Sequence, residues 1–324
     1  MPTINKSRCF VTGGAGFIGS NLVDRLLDLD CEVVAYDNFS ASFPEFVASA
    51  KGNERFTLVN GDILDTELLA TSMAGCSHVF HFAANADVRH GLEHPERDLQ
   101  HNTIGTFNVL EAMRANGVPW IGFSSTGSVY GEPEVIPTPE NAPFPIQTSL
   151  YAASKLAGEG LIQAYVEGYG MRAVIFRFTS ILGERYSHGH VFDFYRKLAA
   201  DPKRLHILGD GKQKKSYLYI QDCLDAILMA VDRCEDKVGI FNLGHEDYVT
   251  VDTSAGIIAR TLGLSPEFTY EGGERGWIGD NPFTHLEIKK MQALGWQPKV
   301  SIEDAVAKTV RWMQGNEWVF DQRQ

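Results

Sequence analysis

At 324 residues, with 44% hydrophobic and 22% charged side chains, the chain is long enough to bury a sizeable core and too apolar to remain disordered. A formal net charge of −12 repels phosphodiester backbones and anionic lipid, which argues against nucleic acid and membranes as partners. Five scattered cysteines, no metal-ligand spacing, no secretory leader and no bilayer-length apolar run give the expectation of a cytoplasmic protein with reduced thiols and no metal.

Through the first half, short apolar, β-rich runs alternate with helical patterns, as βαβ units around a parallel sheet do. Strands are expected at 9–12, 32–36, 55–59, 78–82, 120–124 and 173–178, and helices near 17–30, 64–73, 97–116 and 150–168. Strands this apolar are buried on both faces, so an α/β, doubly wound parallel sheet is expected. After Phe178 the pattern loosens into shorter segments, with helices near 191–200, 221–233, 253–262 and 301–313, consistent with a smaller mixed α/β C-terminal domain. The expected division is 1–178, with 216–245 returning to it, against 179–215 and 246–324. A cleft between the lobes is the expected ligand site.

Gly13 and the run Gly14-Ala15-Gly16-Phe17-Ile18-Gly19 follow the first strand and open a helix, where backbone N–H groups and the dipole suit a pyrophosphate. Asp37, followed by Asn38, ends the second strand, where a carboxylate accepts ribose hydroxyl protons and repels a 2′-phosphate. That favours NAD over NADP; a turn opener is the plainer reading of Asp37-Asn38.

Tyr151-Ala152-Ala153-Ser154-Lys155 sets a phenol and an ammonium on one face at the start of a helix. The lysine charge and the helix dipole are both expected to lower the Tyr151 pKa toward neutrality for acid/base work. Upstream, Phe123-Ser124-Ser125-Thr126-Gly127-Ser128 leaves the fifth strand at its carboxyl edge, where a hydroxyl can reach a substrate oxygen. For Ser125 and Ser128 an ordinary turn is an equal reading. His81, on a buried strand, reads as a packed core histidine.

TGGAGFIGS, YDN, FSSTGSVYGEP, LYAASK, GDGKQKKSYLYIQDCLDAI and ALGWQPKVSIEDA occur in the order found in extended short-chain dehydrogenases, and the chain most resembles the UDP-glucose 4-epimerases and their relatives over nearly its whole length. The resemblance implies a Rossmann domain with a small C-terminal sugar-nucleotide domain, bound NAD, a nucleotide-diphosphate sugar as substrate and a homodimer. It maps the catalytic set to Thr126, Tyr151 and Lys155. It maps the NAD site to Gly13, Gly16, Phe17, Ile18, Gly19, Asp37, Asn38, Asp62, Ile63, Ala83, Ala84, Asn102, Ser124, Tyr151, Lys155 and Phe178, and substrate contacts to Arg89, Ser125, Thr126, Ser180, Lys215 and Arg275. The dimer interface would involve the helices near 97–116 and 150–168, with Phe107, Leu110, Leu161 and Tyr165 as spare apolar positions.

Related dehydratases and decarboxylases carry carboxylates just after the threonine, whereas here Thr126 is followed by Gly127 and Ser128. The expected reaction is therefore 4-epimerisation through a 4-keto sugar, with a nucleotide-sugar 4-dehydrogenase, 4,6-dehydratase or decarboxylase as the alternative and a non-catalytic NAD-binding regulator as a remote one. Several positions depart from the epimerase pattern: Arg177-Phe178-Thr179-Ser180 lacks the usual asparagine, and Lys215-Ser216 replaces an Arg-Asp. Lys lacks the bidentate grip of Arg. The pair His188 and His190 reads equally as a sugar-facing or a surface loop.

Overall fold

The computed structural model describes residues 4–86, 93–144, 146–277 and 280–322. The chain divides into two units. One comprises residues up to Val129, Ser149–Phe178 and Leu224–Phe241; the other comprises Tyr130–Thr148, Thr179–Cys223 and the chain from Asn242 onward. This division differs from the sequence reading in placing 130–148 in the second unit and in limiting the returning stretch to 224–241.

The first unit alternates β1 (Arg8–Thr12), α1 (Phe17–Asp28), β2 (Glu32–Asp37), β3 (Phe56–Asn60), α2 (Thr66–Ser72), β4 (His78–His81), a composite helix, β5 (Trp120–Thr126), α5 (Leu150–Tyr169) and β6 (Arg172–Phe178). In α1, Leu22, Val23, Leu26 and Leu27 recur at helical spacing and are all buried, which turns one face to the sheet. β4 and β5 are buried along their whole length, whereas β3 alternates partly exposed and exposed residues because it lies at the sheet edge. Phe10, Val34, Val79, Ile121, Phe123 and Ile175 from the sheet join Leu110, Met113 and Ile162 from the helices in one core.

The composite helix consists of α3 (Pro95–Arg97), a π-helical stretch Asp98–Ile104 and α4 (Gly105–Asn116). The sequence reading made this a single regular helix over 97–116. It also drew no strand at β11 (Val238–Leu243), the seventh member of the sheet, whose order is β11-β6-β5-β4-β1-β2-β3. The pairs β1–β2, β2–β3, β1–β4, β4–β5 and β5–β6 are parallel. Construction therefore reverses direction at β1, and the carboxyl ends at Thr12, Asp37, His81, Thr126 and Phe178 emerge along one edge, where open α/β sheets hold ligands.

In the second unit, β7 (Ser180–Leu182) pairs with β10 (Tyr217–Tyr219), β8 (Arg204–Ile207) with β13 (Glu267–Tyr270), and β9 (Lys214–Lys215) lies between β12 (Val249–Thr250) and β14 (Phe283–Thr284). The helices are α6 (His190–Ala200), α8 (Val251–Thr261), α9 (Lys289–Ala293), α10 (Ile302–Gln314) and α11 (Trp318–Gln322), while α7 (Ile220–Arg233) carries the chain back to the first unit.

Of the side chains expected to meet a partner, Phe107 is exposed. Leu110 and Tyr165 are core residues and Leu161 packs against them, because α4 and α5 bury these positions on each other and on the sheet. Among the described residues no helix is long and apolar enough to cross a membrane.

Candidate active site and cofactor cradle

The turn between β1 and α1 is built so tightly that side chains are excluded from it. Gly13 has φ +67°, and a Cβ there would lie 2.7 Å from Ala83 N. A Cβ on Gly19 would overlap the Gly13 carbonyl oxygen, so the helix starts in direct backbone contact with the turn. Gly16 caps α1 without a side-chain cap bond, and Phe17 and Ile18 open the helix. The positive end of the dipole is thus presented to an anion without a side-chain cap on the helix itself.

Asp37 reaches this turn from the end of β2, where Oδ2 accepts from Ala15 N at 2.9 Å. Its Oδ1 accepts from Phe39 N at 2.9 Å and Ser42 Oγ at 2.6 Å. Three of roughly four lone-pair directions are therefore taken, leaving room for one ribose hydroxyl. Asn38 donates to Asp62, whose other oxygen accepts from Leu64 N. Ile63 sends its side chain into the core against Gly105, which leaves only its backbone for a ligand. Ala83 N donates to Thr12 Oγ1, and the partly buried Ala84 follows it.

Asn102 is 1% exposed; its Oδ1 accepts from Asn85 N, and its Nδ2 donates to Asn85 O, Asp98 Oδ1 and Ser154 Oγ. Its polar capacity is spent shaping the segment after β4. The glycine turn, the uncapped helix and the Asp37 carboxylate at its side fit the pyrophosphate and ribose of a dinucleotide.

The chemistry-bearing residues lie on neighbouring elements of the same unit. Ser149 caps α5 by accepting from Ala152 N at 3.1 Å, which sets Tyr151 in the first turn and Lys155 one turn later. Lys155 is 2% exposed; its Nζ donates to Ser124 O at 2.8 Å and lies 4.8 Å over the Phe123 ring. The Thr126 hydroxyl donates to Ser128 Oγ at 3.2 Å and accepts from Ser128 N at 3.1 Å, and its nearness to Tyr151 favours the phenolate.

The expected depression of the Tyr151 pKa is not found. Burial pushes it up to about 12, the Asp98 charge adds to the rise, and the Thr126 hydroxyl only partly opposes them. Burial pushes Lys155 down to about 7, against the pull of Asp98 and Glu159. Desolvation outweighs the helix dipole at this depth.

Ser124 Oγ donates to His81 O, and Phe178 is the register partner of Thr126. Ser125 does not turn toward Tyr151: its hydroxyl donates to Glu159, because alternate strand residues face opposite sides of the sheet. His81 bonds Thr12 and Thr106 through its two ring nitrogens and is wholly buried, as a packed core histidine should be. Asp98 and Glu159 are not singled out by the sequence, and Arg177 stands there only as part of the Arg177-Phe178-Thr179-Ser180 motif. The available signal was charge inside apolar patterns, an Arg in a buried strand and a Glu on a buried helix face.

Within the second unit, Lys215 Nζ donates to Asp280 Oδ1 at 2.6 Å, and Arg275 donates to the Asp280 carbonyl at 3.3 Å and pairs with Glu132. The two expected diphosphate cations are thus brought together, but each already faces a carboxylate. Ser180 is exposed at the start of β7. His190 bonds Ser254 Oγ and stacks on Tyr217 at 4.8 Å. Arg89 lies outside the described residues.

Residues 9–244 match the model of the NAD dependent epimerase/dehydratase family. The chain is 32% identical over 311 residues to the UDP-glucose 4-epimerase of Mycolicibacterium smegmatis, covering 94% of this chain and 98% of that one. A solved UDP-galactose 4-epimerase superposes with a TM-score of 0.86 at 38% identity, covering 96% and 100% of the two chains. The UDP-glucose 4-epimerase of Thermus thermophilus, solved with NAD, does so with a TM-score of 0.84 at 33% identity, covering 95% and 99%. With the glycine cradle, Asp37 and the Thr-Tyr-Lys set in place, the chain belongs to the NAD-dependent epimerase/dehydratase family.

Proposed function

We propose that this protein interconverts the C4 epimers of a nucleotide-diphosphate sugar. The observation that carries this reading is Thr126 close enough to Tyr151 to influence its ionisation at the carboxyl edge of the sheet, with Lys155 one turn along α5 and Gly127-Ser128, rather than carboxylates, after the threonine. NAD, when bound, supplies reversible two-electron oxidation at the sugar C4. Tyr151 exchanges the proton of the 4-hydroxyl, and Thr126 orients that oxygen by a hydrogen bond. Lys155, anchored on Ser124, holds positive charge beside the phenol and favours its ionised form whenever the lysine is protonated. A carboxylate acid and base for removing water or carbon dioxide is lacking at positions 127 and 128, which leaves the keto sugar to turn over and be reduced on its other face.

For the sugar nucleotide, Lys215 and Arg275 are the proposed diphosphate contacts, which an anion reaches by displacing Asp280 or Glu132. The test is incubation with UDP-, GDP-, CDP- and dTDP-sugars deuterated at C4, with products read by NMR. The expected result is an equilibrium pair of C4 epimers that keep the label. Loss of the deuterium, or a product lighter by water or carbon dioxide, moves the protein to another branch of the family.

We also propose a homodimer and a cytoplasmic setting. Leu99, Ile104, Phe107, Leu150 and Tyr169 are exposed on the composite helix and α5, in the same unit, and an isologous contact would cover them. Five free, buried cysteines suit a reducing compartment. Light scattering at micromolar concentration should give twice the chain mass of 35.9 kDa; a monomer refutes the dimer.

A further inference from the structure

Beneath the Thr126, Tyr151 and Lys155 set lies an ion pair that the proposed chemistry does not use. Arg177 and Glu159 are 2% and 1% exposed, and Arg177 grips Glu159 with both Nε and Nη2, at 3.0 and 2.7 Å. Ser125 Oγ donates to the same carboxylate. Burying such a pair costs desolvation that apolar side chains of equal volume avoid, so packing alone does not account for it.

Its position does. Glu159 lies one turn beyond Lys155 and two beyond Tyr151 on α5, so the three share a helix face. Ser125 stands between Ser124, which Lys155 bonds, and Thr126, which acts on the Tyr151 ionisation. Arg177 is the register partner of Ser125 and precedes Phe178. One carboxylate thus ties together α5, β5 and β6, the elements that present the catalytic set.

We propose that Glu159 is a positioning residue, which with Ser125 and Arg177 fixes the face of α5, and with it Tyr151 and Lys155, against the ends of β5 and β6. The charged and titratable groups that face Lys155 are Asp98 from the π-helical stretch, Glu159 and Tyr151 from its own helix, His81 from β4 and, behind Glu159, Arg177. Asp98 and Glu159 favour the cation, His81 stays neutral through burial, and Arg177 offsets part of the Glu159 charge. The inference rests on the assignment of Lys155 to the NAD site that the family resemblance implies, and its test uses NAD binding without a sugar.

The affinity of the full chain for NAD is measured by calorimetry between about pH 6 and pH 9, on either side of the Lys155 transition near 7. Glu159→Gln should bind within about twofold of the wild type at pH 6 and about tenfold more weakly at the alkaline end, the signature of a midpoint lowered by about one unit. Arg177→Met leaves the Glu159 charge uncancelled and should move the midpoint upward, so either variant decides the question if the other does not fold. A loss by the same factor at every pH, or failure of both variants to fold, makes the pair a structural brace alone and overturns the proposal. A protein that passes this test and still fails to epimerise any sugar nucleotide refutes the proposed function without touching Glu159.

Discussion

Tyr151 and Lys155 are displaced in opposite directions by the same cause. Burial disfavours phenolate and ammonium alike, so at neutral pH Tyr151 keeps its proton while Lys155 is near its midpoint. Tyr151→Phe should therefore retain the fold and NAD but lose at least ~10²-fold in turnover, the typical contribution of a positioned acid or base. Thr126→Ala should lose less, and Lys155→Ala should lose both rate and NAD; turnover and released nucleotide are the two readouts. A Tyr151→Phe protein with undiminished turnover removes the phenol from the mechanism. These three residues were legible because their spacing and strand-end position carry chemistry within short windows. Glu159 and Arg177 were not, since they are 18 positions apart and only the packing of α5 on β6 makes them partners. Lys155 was found, but the direction of its own shift depends on burial that no local pattern displays.

Among the elements, the six strands of the first half were readable from near-continuous apolar runs, which only a sheet covered on both faces requires. β11 escaped because Val238-Gly239-Ile240 is short, contains glycine and follows a polar turn, and it becomes a strand by pairing beside β6. The π-helical stretch escaped because periodicity does not distinguish one widened turn from a regular helix, although such turns gather at functional sites, as Asp98 and Asn102 do here. The glycine turn is the element most sensitive to a single atom. Gly13→Ala forces both a left-handed φ and contact with Ala83 N, and should abolish NAD retention and lower the melting temperature by several degrees, since a strained site costs of order 1–3 kcal/mol. Differential scanning fluorimetry with and without NAD checks this; an unchanged NAD-dependent rise shows that the turn tolerates a side chain.

For the whole molecule, buried histidines set the response to acid. Burial pushes His81 and His190 down to about 3, far below the free value of 6.5. The unfolded chain takes up these protons as pH falls below ~6.5 while the folded chain does not, so the stability they contribute above that point is lost progressively toward pH ~3. The slope is about 1.4 kcal/mol per pH unit for His81 alone. Denaturant titrations at stepped pH should show His81→Gln losing less stability than the wild type between about pH 6 and pH 4; parallel curves rule this out.

The discontinuity of the first unit has a consequence for the order of synthesis. Until the ribosome has passed Leu243, β6 has β5 on one side and nothing on the other, so a long apolar strand waits with an open row of N–H and C=O groups. The sheet cannot be finished from the amino-terminal half, and the intervening second-unit segments must emerge first. A fragment ending at Phe178 should therefore aggregate on expression even though it contains the entire glycine cradle and the Thr126, Tyr151 and Lys155 set, and a soluble, NAD-binding fragment of that length would show that the closing strand is dispensable.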